Sequence, residues 1–154
     1  MNQRTLGFVT DLLNWPRRAI VMHILATVVT GNALQKAISG SYVLATQVYQ
    51  DAPANGDVTT NGFFLRPGTY TMNVTGFTNT NRGIVDWYID DAIAVTGQDW
   101  YASPGVDNVI KTATVQVKGL SPYHVLKSTV NGKNASSSDY YLALSLIEFK
   151  PCAD

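Results

Sequence analysis

The sequence predicts a mainly β protein: a jelly-roll-like antiparallel β-sandwich preceded by an N-terminal arm for which a helix is favoured. From Ser41 onward, short runs rich in β-branched and aromatic residues alternate with segments rich in Gly, Asn, Asp and Pro. About seven or eight such runs occur with no helical period between them, which indicates two packed sheets. At 154 residues, the chain can bury one core but is too short for two ordinary domains.

Residues 1–50 form the predicted arm. A basic pair precedes an apolar run over residues 19–29, which would leave no polar face toward water in either a helix or a strand. A helix is favoured, because Asn14 can cap it with Pro16 in its first turn. A buried strand is the alternative, since the run is rich in β-branched residues.

The apolar run must be buried, and we expect it to dock the arm onto another subunit or a neighbouring protein. The residues expected to make this anchoring contact are Ile20, Val21, Ile24, Leu25 and Val28. An element of the protein's own core is the alternative. The run is too short for a membrane span, which needs about 20 residues. It resembles a secretory signal only in part, because no clear cleavage site follows it.

A stretch with the turn-forming residues Pro53 and Asn55-Gly56, residues 51–61, is predicted to separate the arm from the sandwich domain, residues 61–151. Strands are predicted where hydrophobic residues alternate between turn-forming segments. The strand-like runs lie at 42–49, 63–65, 69–77, 84–89, 92–95, 109–117, 123–130 and 140–149.

One hairpin is predicted in detail. Asp90-Asp91 lies between two strand-like runs and has the residue type of a tight hairpin tip. Alternation along the preceding strand places Trp87 toward the core and Asp86 and Tyr88 on the outer or interface face.

An acid followed by two aromatic residues occurs three times. The triplets are Asp86-Trp87-Tyr88, Asp99-Trp100-Tyr101 and Asp139-Tyr140-Tyr141. Rigid aromatic side chains beside carboxylates suit packing between subunits or stacking on sugar rings.

The second triplet lies in a predicted loop, residues 97–107, where aromatic side chains can reach a partner. The residues expected to contact a glycan or a neighbouring subunit are Tyr88, Gln98, Asp99, Trp100 and Tyr101. For Trp100, burial at the sandwich end or at a subunit contact is favoured, and an exposed platform for sugar rings is the alternative.

No catalytic residue, metal site or cofactor is predicted. The sequence has no Gly-x-Ser-x-Gly elbow, no His-x-x-x-His pair and no phosphate-cradling glycine loop. His23 and His124 lie in apolar or strand-like surroundings and are expected to be structural. Calcium binding by the aspartate-rich segment 86–107 is an alternative without EF-hand spacing. A lone Cys152 excludes an internal disulfide.

The charge balance narrows the choice of partners. Eleven basic residues match eleven acidic ones, and charged residues make up 14% of the chain, against roughly 25% in typical soluble domains. No general attraction to nucleic acid or to anionic membranes is therefore expected. Low charge also favours a surface that is partly covered by subunit contacts.

Five segments resemble part of a known structural class. They are RPGTYT at 66–71, GIVDWYID at 83–90, GQDWY at 97–101, NGKN at 131–134 and DYY at 139–141. The region from Asn61 to Pro151 that holds them resembles the β-sandwich domains of tailed-phage virion proteins, such as head-fibre, capsid-decoration and tail-fibre tip domains. The resemblance implies a trimeric, non-enzymatic protein located in the virion and attached to other capsid or tail proteins by its N-terminal part.

Two functions follow from these observations. The favoured one is a structural virion protein that forms a fibre on, or decorates, a capsid or tail. The alternative is a carbohydrate-binding module, whose loop aromatic residues recognise a host-surface glycan.

The first prediction concerns assembly. Low charge, many tyrosines and an apolar N-terminal run predict a homotrimer, because tyrosine is enriched at interfaces. Light scattering on the full chain should give three times the chain mass of 16.8 kDa. A uniform monomer at micromolar concentration would contradict this prediction.

Overall fold

The computed structural model describes residues 16–22, 25–38, 46–50 and 53–152. These residues form two antiparallel β-sheets around one core, which confirms the predicted β-sandwich. The strands are β1 (Ala19–Met22), β2 (Thr27–Thr30), β3 (Leu34–Ile38), β4 (Thr46–Gln50), β5 (Val58–Phe64), β6 (Gly68–Thr78), β7 (Gly83–Ile89), β8 (Ala92–Asp99), β9 (Val106–Val117), β10 (Tyr123–Lys133) and β11 (Leu144–Pro151).

The order of the strands decides which loops meet. The first sheet has the order β3-β4-β11-β6-β9, and β1 also pairs with β11. The second sheet has the order β2-β5-β10-β7-β8. Because every pairing is antiparallel, the β6–β7, β8–β9 and β10–β11 connections all leave the strands at the same end of the sandwich.

Alternating side chains from both sheets fill the space between them. On β6 and β7, the inward-facing residues that are almost completely buried are Tyr70, Met72, Val74, Val85, Trp87 and Ile89. Phe63 of the second sheet stacks on Phe149 of the first, with ring centroids 4.8 Å apart. The burial of Trp87 confirms its predicted place in the core. Each large apolar side chain buried in this way stabilises the fold by about 1.5–3 kcal/mol.

Two polar groups of the core have hydrogen-bond partners inside it. The hydroxyl of Tyr70 donates to the backbone carbonyl of Arg66 at 2.9 Å, and burial raises the pKa of this hydroxyl. The indole Nε1 of Trp87 donates to Oε1 of Gln98 at 3.0 Å. These bonds offset the cost of removing the polar atoms from water.

Within the described part of the apolar run, residues 19–22 and 27–30 form strands, so the favoured helix is wrong for these residues. Strand β1 pairs with β11 and β2 pairs with β5, which adds residues of the predicted arm to both sheets. Branching at Cβ favours the extended backbone, and pairing with existing strands satisfies the backbone N–H and C=O groups. The division into an arm, residues 1–50, and a domain, residues 61–151, stays a prediction.

The predicted anchoring residues differ in their exposure. Val21 is buried, Val28 is half-buried, and Ile20 and Leu25 are 65% and 72% exposed. Ile24 lies outside the described residues. The alternation of buried and exposed positions along β1 follows from the two-residue period of a strand. One side of β1 thus joins the core, and docking onto a partner through the other side stays a prediction.

A two-residue turn at Asp90-Asp91 connects β7 and β8, as predicted. Ile89 pairs with Ala92, and the two aspartates have φ angles of 51° and 63°. Two consecutive left-handed residues form a type I′ turn, whose twist matches that of the flanking strands. Aspartate reaches this conformation more readily than most residues that have a side chain.

Asp90 also fastens the hairpin to β10. Its Oδ1 accepts the backbone N–H of Val125 at 2.9 Å, and its Oδ2 lies 2.6 Å from Nδ1 of His124. Nε2 of the buried His124 lies 3.0 Å from the carbonyl oxygen of Leu65. Both ring nitrogens thus face acceptors, and the ring donates to both when it carries two protons. His124 has the structural role expected of it.

This geometry predicts that two substitutions of Asp90 lower the free energy of unfolding by different amounts. Asp90→Asn should lower the free energy of unfolding by about 1–3 kcal/mol, because asparagine keeps the left-handed backbone but is uncharged. Asp90→Ala should cost roughly 1–2 kcal/mol more, since alanine disfavours positive φ. Urea unfolding followed by circular dichroism measures both values. Asp91→Asn is the matched control at the exposed neighbouring position, and equal stability of the two Asp90 variants would contradict the backbone contribution.

Candidate functional site

Three loops meet at one end of the sandwich, which we call the loop end. They cover residues 79–82, 100–105 and 134–143. The first loop joins the other two through backbone hydrogen bonds. Asn79 exchanges bonds with the second loop, donating to Trp100 O at 3.3 Å and accepting from Ala102 N at 3.2 Å. Ser138 donates to Thr80 O at 2.9 Å. These bonds hold the three loops in fixed relative positions, as a binding site requires.

Two of the three acidic-aromatic triplets converge at the loop end. Asp99-Trp100-Tyr101 begins the second loop, and Asp139-Tyr140-Tyr141 lies in the third. Tyr101 forms a β-bridge with Asn79 of the first loop. The side-chain amide of Asn134 donates to Oδ2 of Asp99 at 2.8 Å, which links the second loop directly to the third.

The acid of each of these triplets fixes the backbone that follows it. Oδ1 of Asp99 accepts the N–H of Tyr101 at 2.8 Å, and Oδ1 of Asp139 accepts the N–H of Tyr140 at 2.8 Å. Aspartate commonly stabilises turns by accepting local backbone N–H groups in this way. The carboxylates therefore orient the tyrosines beside them.

The tyrosines of the loop end are half-buried and two of them contact cations. Nζ of Lys133 lies 4.8 Å from the ring centroid of Tyr140, and the guanidinium carbon of Arg82 lies 5.9 Å from that of Tyr141. A cation over the electron-rich face of a ring is attracted to it. Tyr140 and Tyr141 thus combine a ring beside a cation with a surface that water reaches, and Tyr101 is half-buried as well.

Trp100 is completely buried, so it is not available to a glycan. Its ring packs over Gly76, where an added Cβ would lie 2.9 Å from the ring carbon Cζ3. Nζ of Lys111 lies 5.3 Å from the ring centroid. Of the alternatives for Trp100, burial at the sandwich end is the one observed, and the exposed platform is wrong. Gln98 is also buried, and its Oε1 accepts the indole N–H of Trp87.

Tyr88 lies away from the loop end, on the outer face of the second sheet. Its ring is half-buried beneath Nζ of Lys127, 4.5 Å from the ring centroid. Asp86 is on the same face but is buried, because its carboxylate accepts Gly97 N at 2.7 Å and Asn131 Nδ2 at 2.6 Å. The predicted contact residues are thus not one site: Asp99 and Tyr101 belong to the loop end, Tyr88 to the sheet face, and Gln98 and Trp100 to the interior.

The residues of the third triplet were not among the predicted contact residues. The positions of Asn134 and Lys133 beside the other groups of the loop end were not predicted either. The repetition of the triplet in the sequence was the one feature that could have pointed to the third copy as part of the site. Across the described residues, no group of three or more His, Cys, Asp or Glu side chains is arranged to hold a metal ion. The described part of the chain also contains no helix with the length and hydrophobicity of a membrane span.

Comparisons with known proteins identify the fold. No protein-family model and no curated protein matches this sequence. A xanthan lyase from Paenibacillus is similar in structure, with a TM-score of 0.71 and 18% sequence identity over 86% of this chain. The matched region is 13% of the lyase chain, so this protein corresponds to a small part of that enzyme.

Two isolated modules are also similar along nearly their whole length. A family 35 carbohydrate-binding module from Clostridium thermocellum has a TM-score of 0.65 and 11% identity, covering 89% of this chain and 100% of the module. A CBM36 carbohydrate-binding module, solved with calcium and xylotriose, has a TM-score of 0.54 and 17% identity, covering 84% of this chain and 98% of the module. The chain therefore has the β-sandwich fold found in carbohydrate-binding modules.

The burial of Trp100 generates a stability prediction. Trp100→Ala should lower the free energy of unfolding by about 3–5 kcal/mol, the usual cost of removing a buried tryptophan side chain. The melting temperature should fall by roughly 10 °C. Leu120→Ala, at an exposed residue at the opposite end of the sandwich, is the control and should change little. A Trp100→Ala protein that melts with the wild type would contradict the packing described above.

Proposed function

We propose that this chain is a non-catalytic carbohydrate-binding module whose glycan site lies at the loop end. The main observation behind this proposal is that two acidic-aromatic triplets lie close together in three loops that are joined by hydrogen bonds. The fold shared with carbohydrate-binding modules supports it, as does the partial exposure of the half-buried Tyr101 and Tyr140.

The chemistry of the loop end suits a sugar. The C–H groups on one face of a pyranose ring carry partial positive charge and are attracted to the electron-rich face of an aromatic ring. The hydroxyls at the ring edge need donors and acceptors, and Asp99, Asn134 and Lys133 supply them beside Tyr101 and Tyr140. Because the loops are already hydrogen-bonded to one another, little order has to be gained on binding.

Binding without catalysis is supported by the use made of the carboxylates. Both oxygens of Asp99 accept N–H donors, from Tyr101 and from Asn134. Asp139 accepts the N–H of Tyr140. These bonds suit an acceptor that holds a loop in place better than an acid that donates a proton to a leaving group.

The virion setting stays a prediction that rests on the sequence resemblance alone. In that setting, the loop end would bind a host-surface glycan. Assembly into a trimer would multiply its weak individual contacts, since linked sites bind a polymer more tightly than single ones.

Glycan binding is tested by removing the two tyrosines together. Wild-type protein should bind members of an oligosaccharide array, and isothermal titration with xylotriose is a first probe because a similar module was solved with that sugar. Tyr101→Ala/Tyr140→Ala should weaken binding about tenfold or more, since interface energy concentrates in aromatic anchors. Titrations with added calcium and with EDTA separate a calcium-dependent from a calcium-independent site.

The control for this test is Leu120→Ala, which removes exposed apolar surface at the other end of the sandwich. Circular dichroism and melting curves of each variant show whether the fold is intact. Wild-type protein that binds no glycan on the array, or a folded double variant that binds like the wild type, would contradict the proposal.

A further inference from the structure

A second surface lies on the outer face of the second sheet. It is formed by two neighbouring strands, β5 and β10, on which alternate residues face the core and the solvent. We call it the sheet-face strip, and it consists of Thr60, Gly62, Phe64, Tyr123, Val125 and Lys127. Tyr123 begins β10 and Lys133 of the loop end closes it, so Tyr123 lies roughly 30 Å from Lys133 at ~3.3 Å per residue.

Two aromatic rings of the strip are exposed side by side. Phe64 is 58% exposed and Tyr123 is 49% exposed. Their ring centroids are 5.3 Å apart in an edge-to-face arrangement, with an angle of 65° between the planes. Singly scattered exposed apolar residues are ordinary, whereas two exposed aromatic rings in contact form a continuous apolar surface that a ligand can cover.

Gly62 allows the Tyr123 ring to lie across the neighbouring strand. A Cβ at position 62 would be 2.9 Å from the ring carbons Cε2 and Cζ of Tyr123, closer than any real Cβ contact. Because residue 62 has no side chain, the ring rests on the backbone of β5 with its other face toward solvent. The glycine thus gives the ring a fixed, flat position.

A groove of about 560 Å³ continues from the aromatic pair along the same face. It is lined by Val29, Val58, Thr60, Val125, Asp91 and Lys127, together with Asp90. Its size falls within the range of roughly 300–1,000 Å³ found for small-molecule sites. Apolar valines at its base and a hydroxyl, a carboxylate and an ammonium group around them offer both kinds of contact that a sugar makes.

The charged groups of the groove are already paired among the described residues. Nζ of Lys127 donates to Oδ1 of Asp91 at 2.6 Å. The Asp90 carboxylate is engaged by His124 and by the Val125 N–H. Because the cation of the groove is already paired with a carboxylate, the groove does not favour an acidic ligand. An uncharged ligand does not need such a cation.

We propose that the sheet-face strip is a second glycan-binding surface, and that its ligand is an uncharged polysaccharide chain. One pyranose ring stacks on the solvent face of Tyr123. The next rings follow the groove, where Thr60 and Asp91 hydrogen bond to hydroxyls. This proposal does not depend on the loop end, because the two surfaces share no residue.

The test uses the full chain with its loop end disabled. In the Tyr101→Ala/Tyr140→Ala background, isothermal titration with xylohexaose and cellohexaose measures the strip alone, and hexagalacturonate is the charged counterpart. We expect one of the uncharged hexasaccharides to bind and the charged one not to bind. Adding Tyr123→Ala should weaken this binding about tenfold or more.

Gly62→Ala is the second variant, and it moves the ring without removing it. The atoms that must shift are the outer end of the Tyr123 side chain, so the melting temperature should change little. Binding of the uncharged hexasaccharide should nevertheless fall several-fold. Loss of binding with an unchanged melting curve would separate the position of the ring from a general role in stability.

Three other results of these titrations and of light scattering would distinguish the sheet-face strip from the loop end or from a contact between copies of the chain. If the double variant binds neither uncharged hexasaccharide, or if adding Tyr123→Ala leaves its affinity unchanged, the strip is not a glycan surface, although the loop end can still be one. If Tyr123→Ala alone abolishes binding and the double variant binds like the wild type, the strip stands and the loop-end site fails. If light scattering shows that Tyr123→Ala dissociates an oligomer, the strip is a contact between copies of the chain and the proposal is overturned.

Discussion

Burial of the Trp100 indole is the interaction on which the loop end depends. The ring closes the end of the sandwich over Gly76, and the backbone of the same residue is bonded on both sides. Its N–H donates to Gly83 O at 3.2 Å, and its carbonyl accepts from Asn79 N at 3.3 Å. Because one residue fixes both the core and the loop, the positions of the flanking Asp99 and Tyr101 are set by packing of the interior.

In two of the three acidic-aromatic triplets, the residues at corresponding positions have the same structural roles. In Asp86-Trp87-Tyr88 and in Asp99-Trp100-Tyr101, the acid accepts a backbone N–H, the tryptophan is buried and the tyrosine is half-exposed. The alternation of an extended chain produces this pattern, since successive side chains point to opposite faces. In Asp139-Tyr140-Tyr141 both aromatic residues are half-buried, because the segment is a loop between strands. The motif is therefore a way to place one ring at the surface with firm support beneath it.

Local chemistry made parts of the fold predictable from the sequence. The Asp90-Asp91 turn and the core position of Trp87 follow from residue type and strand period, and both were predicted correctly. For the apolar run at residues 19–29, β1 and β2 agree with the alternative of a strand and not with the favoured helix. The choice could not be made from the sequence, because an apolar run without a polar face fits a helix as well as a strand until its partners β11 and β5 are known. The convergence of the triplets depends on strand order, which is decided by contacts between distant parts of the chain. The same holds for the contact between Gly62 and Tyr123, on two strands that the sequence does not pair.

The two outer faces of the sandwich differ in how their exposed side chains contact one another. On the first sheet, polar side chains bond to each other across β6 and β9: Thr112 donates to Asn73 at 2.9 Å, and Gln116 donates to Thr69 at 3.1 Å. Such groups satisfy one another and leave water as an adequate solvent for that face. On the second sheet, Phe64 and Tyr123 instead expose two aromatic rings that contact each other edge to face. A sugar chain stacked on Tyr123, as proposed, would cover this aromatic pair, whereas the hydroxyl and amide groups of the first sheet already bond to one another.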